Sequence, residues 1–161
     1  MKKRTIVALA ILAGLAAGCG KSEKTYKTGE GEVTVKENGD QIAYEGTTKE
    51  GKFKMSVGEK GVALPDDFPK DIPIMKGTTV KAAMTQGPQT IVHLYAAKSI
   101  ADAAKFYQDE LKVNGWTIEN SLNMGDTSMV AAKKGNRQCN VVATKEGDGV
   151  LVQLVVVKET P

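Results

Sequence analysis

Polar and apolar residues alternate over most of this chain, in runs too short for anything but strands. In EVTVKENGDQIAYEG two alternating runs flank Asn38-Gly39, a hairpin signal. GKFKMSVG continues the pattern, with Phe53, Met55 and Val57 on one face and Lys52, Lys54 and Ser56 on the other. Residues 32–57 therefore read as a three-stranded β-meander. Its apolar set is thin, and such a unit alone is marginal in water. It is expected to dock on something or to pair across a subunit. Residues 58–78 carry prolines at 65, 69 and 73. Proline removes a backbone donor and favours extended geometry in the residue before it. The segment reads as a stiff connector whose Leu64, Phe68, Ile72 and Ile74 can pack along a domain surface.

Residues 79–158 carry the denser pattern. Two strands, 79–86 and 90–97, meet at Gly87-Pro88. Ser99 with Asp102 three residues on resembles a capping box, with Asp where Glu or Gln is usual. Ile100, Ala103, Ala104, Tyr107 and Leu111 then recur at helical spacing, and Asn114-Gly115 stops the helix. Four further strands are expected at 116–122, 128–133, 138–145 and 150–158, with glycine-bearing turns between them. The order is β-β-α-β-β-β-β. The predicted fold class is α+β, a mostly antiparallel sheet packed by one main helix and preceded by the small meander. The last strand is apolar on both faces, with Val150, Val152, Leu154 and Val156 against Leu151, Val155 and Val157. It should be central, or its second face should be covered. The meander and the connector are the candidate covers.

The first eighteen residues follow a different rule. Lys2, Lys3 and Arg4 precede an uncharged, almost wholly apolar run from Ile6 to Ala17. A membrane span needs about 20 such residues, whereas a secretory signal needs about 7–15. Residues 1–18 read as a signal peptide. Leu15-Ala16-Ala17-Gly18-Cys19 resembles the lipobox of bacterial lipoproteins, with Ala16 where Leu is commonest. That resemblance implies that Cys19 takes a diacylglyceryl thioether and becomes the acylated first residue. One buried chain holds a protein only marginally, and two or three make a lasting anchor. Gly20 stands where Asp would mark inner-membrane retention in the enteric lipoproteins, so the resemblance leans to the outer membrane, facing the periplasm. Residues 19–31 are polar and lysine-rich and read as a flexible lipidated tether, reaching roughly 20 Å.

Charge changes once the signal is set aside. Three of the 22 Lys and Arg lie in it, which leaves 19 against 19 Asp and Glu. The mature chain is near neutral, with no electrostatic footprint for nucleic acid. With Cys19 acylated, Cys139 has no partner within the chain and reads as a small buried hydrophobe. His93 is the lone histidine and reads as structural. The methionines are dispersed, Asp66, Asp67 and Asp71 lack calcium-loop spacing, and no zinc pattern is present, so no metal or cofactor is expected. Trp116, just after the helix stop, reads as a plug between helix and sheet. No nucleophile, phosphate-binding or dinucleotide motif appears, and no catalytic residue is expected.

DFPKDIPIMKG and the later FYQDELKVNGW resemble segments of a group of bacterial envelope lipoproteins, over about residues 66–158. The element order also resembles the helix-grip modules of outer-membrane assembly lipoproteins. Neither resemblance supplies an active-site motif. Together they imply a membrane-anchored, non-enzymatic interaction or assembly module with an envelope protein partner. The alternative is a carrier for a small apolar or amphipathic ligand held between sheet and helix.

Overall fold

The computed structural model describes residues 21–28, 31–48 and 51–159. Four strands come first: β1 (Ser22–Thr28), β2 (Gly31–Asn38), β3 (Gln41–Thr48) and β4 (Gly51–Gly58). After the connector come β5 (Thr79–Gln86) and β6 (Gln89–Ala96), then helix α1 (Ile100–Val113). The chain closes with β7 (Thr117–Met124), β8 (Thr127–Lys134), β9 (Arg137–Glu146) and β10 (Gly149–Lys158). All ten strands join one antiparallel sheet in the order β1-β2-β3-β4-β5-β6-β10-β9-β8-β7. The α+β class and the β-β-α-β-β-β-β order from β5 onward are as the hydrophobic pattern predicts.

Short turns set the pairing. The hairpin loops Gly39-Asp40, Gly87-Pro88, Gly125-Asp126, Gly135-Asn136 and Gly147-Asp148 each open on a glycine with φ between 53° and 64°. Glycine alone enters that region without a Cβ penalty, and glycine first is the type II′ preference of two-residue hairpins.

Two expectations need correcting. Residues 22–28, inside the segment expected to be a flexible tether, form edge strand β1 along β2. An edge strand needs little apolar alternation, and charged side chains suit an edge because they discourage further pairing. The other concerns the meander, which does not lie over the last strand. Phe53–Val57 of β4 pair with Ala82–Gln86 of β5, so the meander extends the sheet sideways.

The sheet has two distinct faces, here called inner and outer. Val92 and Leu94 of β6, Val152 and Leu154 of β10, Val141 of β9 and Val130 of β8 point to the inner face and are fully or almost fully buried. Helix α1 lies over β7 to β10 on this side and buries Ala103, Ala104, Tyr107 and Leu111. Ser99 caps its start, its Oγ accepting from the Asp102 amide at 3.0 Å. At its end the Gly115 amide donates to the Lys112 carbonyl at 2.9 Å, and the Trp116 amide to the Leu111 carbonyl at 2.9 Å. That pair is a Schellman stop, for which Gly115 supplies the left-handed φ of 79°. As expected, β10 is a central strand, between β6 and β9.

The connector also covers the inner face. The Val62 amide donates to the Val80 carbonyl at 2.8 Å, which ties its start to β5. Ile72 and Met75 enter the core, and Leu64, Phe68 and Ile74 pack against it, in line with their expected role.

Candidate functional site

Cys19, the proposed lipid anchor, lies outside the described residues. Among the described residues, a trough of about 850 Å³ lies on the inner face of β2 to β5. Its depth comes from small side chains. Ala43, Ser56 and Ala83 stand directly opposite one another on β3, β4 and β5, and form the floor. Val62, Leu64 and Pro65 of the connector make one wall. Charged groups stand around it: Lys36, Lys52 and Lys54 against Glu45, Asp66 and Asp67. Lys36 Nζ donates to Glu45 at 3.2 Å, and Lys54 stands opposite Glu45 in the ladder. A concave floor of small side chains with a few polar groups around it, in this size range, fits a small-ligand site. The balanced charges favour no single sign of ligand.

The connector that walls this trough is fixed at its far end by a second cluster. Both Asp71 carboxylate oxygens accept from Arg137, at 2.8 and 2.6 Å, and one also accepts from Lys134 at 2.8 Å. Trp116 Nε1 donates to the Asp71 carbonyl at 3.1 Å, and the Arg137 guanidinium lies 4.9 Å from the centre of the Trp116 ring. Hydrogen bonds from Arg137, then Lys134, hold the Asp71 carboxyl well below the usual range, against the opposing effect of burial. Asp71 in turn raises the Arg137 value further. Trp116 is 3% exposed. It is the expected plug, and it seals the connector as well as the helix. Asp71 thus belongs to an ion-pair latch, apart from the Asp66-Asp67 pair.

Neither the thiol nor the imidazole lies in the trough. Cys139 is fully buried, and burial pushes its thiol up to about 12, so at neutral pH it is an inert core residue. His93 lies on the outer face, its Nε2 3.1 Å from Gln153 Nε2. Among the described residues, no group of three or more His, Cys, Asp or Glu is placed to hold a metal ion.

Beneath α1 Ser128 Oγ is buried without a hydrogen-bond partner, and the Tyr107 hydroxyl has no partner of good geometry, only the nearby Met75 backbone. Burial raises the Tyr107 phenol far above its ordinary value, more than the neighbouring Met75 backbone lowers it. A buried polar atom without a partner costs about 1–3 kcal/mol. Tyr107→Phe should therefore leave thermal stability unchanged or raise it by about 1 kcal/mol. A melting curve showing a clear loss would mean that the hydroxyl is bonded after all.

Residues 77–149 match a family model described as START domain-like. The match runs from the end of the connector through β5, β6, α1 and β7 to β9, under half of the chain, and its fold is helix-grip-like. Such a domain fits a ligand-binding or carrier role. No curated protein and no solved structure matches. The site and the match overlap only in β5 and the turn after it: Ala83, Thr85 and Gly87 line the trough, and its other lining residues lie before residue 77. The space beneath α1 is packed with Leu94, Tyr107 and Leu111 of the matched segment and with Leu154 of β10 beyond it. The sequence pattern did not expose the trough, because its floor exists only once three strands are in register.

Proposed function

We propose that this chain is a lipid-anchored, non-enzymatic binding protein of the bacterial cell envelope, held at Cys19 and carrying a small amphipathic ligand in the trough. The observation that carries this reading is the floor of Ala43, Ser56 and Ala83, open between charged rims and walled by a latched connector. The START-like match supports a ligand role, and the lipobox-like LAAGC supports the anchor. The outer membrane, periplasmic side, is the proposed address, from Gly20 after the cysteine. The chemistry of the side chains supports binding over catalysis. The trough acids face lysines, the thiol is buried, and the imidazole is on the opposite face.

One preparation tests both halves. Cells fed labelled palmitate express the wild-type chain, Cys19→Ala and Ser56→Trp, and each is gently extracted for native mass spectrometry. The wild type should carry label and a retained small molecule. Cys19→Ala should lose the label and leave the membrane fraction, and Ser56→Trp should keep the label and lose the small molecule. An unlabelled wild type removes the anchor. A wild type with no retained molecule, or one that Ser56→Trp also retains, removes the trough as the site.

A further inference from the structure

The outer face of the sheet is apolar. Val35, Tyr44, Met55, Met84, Ile91 and Val155 stand opposite one another in a single row across β2, β3, β4, β5, β6 and β10. The neighbouring row begins with Ile42, Val57 and Ala82 and ends with Val142, Met129 and Leu122. Between these stand His93 and Gln153, bonded to each other at the sheet centre. Phe53 covers Gly46 and Tyr95 covers Gly149, so aromatic rings fill the places where side chains are missing.

Charge is confined to the margins of this face. Lys24 and Glu37 lie toward the β1 end, and Lys133 and Glu146 lie on β8 and β9. Lys81, displaced by the bulge between Val80 and Ala82, lies with its ammonium 5.8 Å from the centre of the Tyr95 ring. An uncharged centre rich in Met and aromatic residues, inside a polar margin, is the anatomy of a protein interface. Both α1 and the connector lie on the inner side, and among the described residues Val33, at the β1 margin opposite Tyr26, is the one buried outer-face side chain.

We propose that this face packs against the same face of a second copy of the chain. Ten strands about 4.8 Å apart and about 25 Å long present roughly 1,000 Å², above the ~800 Å² per partner of a stable interface. A second copy brings an equally uncharged surface, so neither side must strip water from an ion. Two sheets stacked ~10 Å apart with aligned strands are the usual way to bury a face of this kind. Because β6 and β10 are central strands, a two-fold axis near the sheet centre sets each His93–Gln153 pair toward its copy. That bonded pair, with Asn140 opposite Val155 beside it, fixes the register of a contact that is otherwise mostly apolar. This proposal is independent of the trough, which opens on the opposite face.

Sedimentation equilibrium of the full chain in density-matched detergent tests it. At about 10 µM, within the range expected of a standard-size interface, the wild type should show twice the mass of one processed chain. Val155→Lys should sediment as a single chain with unchanged far-ultraviolet circular dichroism. A second measurement needs no variant. Peroxide oxidation of Met55 and Met84 should slow as wild-type concentration rises, while the buried Met75 stays slow throughout. A wild type of single-chain mass at every concentration overturns the proposal. So does a dimer that a folded Val155→Lys leaves intact, or Met55 and Met84 oxidation indifferent to concentration. A single-chain wild type that binds phosphatidylcholine vesicles through this face, with Val155→Lys abolishing the binding, also overturns it and assigns the face to lipid.

Discussion

Trp116→Ala is expected to lower the unfolding free energy by about 3–5 kcal/mol, the range for truncating a buried large aromatic. Three losses combine. The ring is 3% exposed and leaves a cavity where the helix stop, the connector and the sheet meet. Its Nε1 no longer donates to the Asp71 carbonyl, and Arg137 loses the ring it stacks on. For a chain of this length the melting temperature should fall by about 10–15 °C. Trp116→Phe restores most of the apolar volume but not the indole donor, and should recover more than half of the loss. Calorimetry showing a fall below about 1 kcal/mol for the alanine variant would mean that the connector collapses into the vacancy.

The second large effect is at Asp71. Removing the carboxylate in Asp71→Ala takes three charge-assisted hydrogen bonds from Arg137 and Lys134. Both cations keep partial access to water, with side chains 26% and 35% exposed, so they rehydrate. The expected cost is about 2 kcal/mol, within the range for hydrogen bonds to charged groups. The pH dependence has a fixed sign. A carboxyl whose folded value lies below its unfolded value of about 3.9 binds its proton more readily when unfolded. Its contribution is complete above about pH 4 and fades as pH falls below that. Wild-type stability should therefore drop faster than that of Asp71→Ala between about pH 4 and pH 2, and the two should converge. Parallel curves across that window would remove the ion pair as the source. Because Trp116 and the Asp71 ion pairs clamp the connector at the same residue, their losses should not add, and a double-mutant cycle should return a coupling of at least about 0.5 kcal/mol.

Local features of the fold could be read in the sequence because they depend on near neighbours. The helix showed its stripe, its Ser99 cap and its Gly115 stop within seventeen residues. The strands showed their alternation, and the two apolar faces of β10 marked it as central. What was missed depends on partners distant in the chain. Residues 22–28 look like a tether because their pairing with β2 is carried by backbone, with Tyr26 as the lone large apolar side chain. The meander was expected over β10 because its apolar residues needed a cover. Pairing of β4 with β5 instead puts those residues on the same face as Leu151 and Val155, enlarging the face that needs covering. The ion-pair latch joins residues 66 apart, and no local pattern announces it.

Strand β1 has a consequence for how the molecule stands in its surroundings. It starts at Ser22, three residues after Cys19, so on the anchored reading the leash is only about 10 Å at full stretch. A body on so short a leash cannot tumble freely above the bilayer. On that reading its β1 edge, with Lys24 and Lys27, would be held down among the lipid headgroups, with the helix-bearing end turned up toward the compartment beyond.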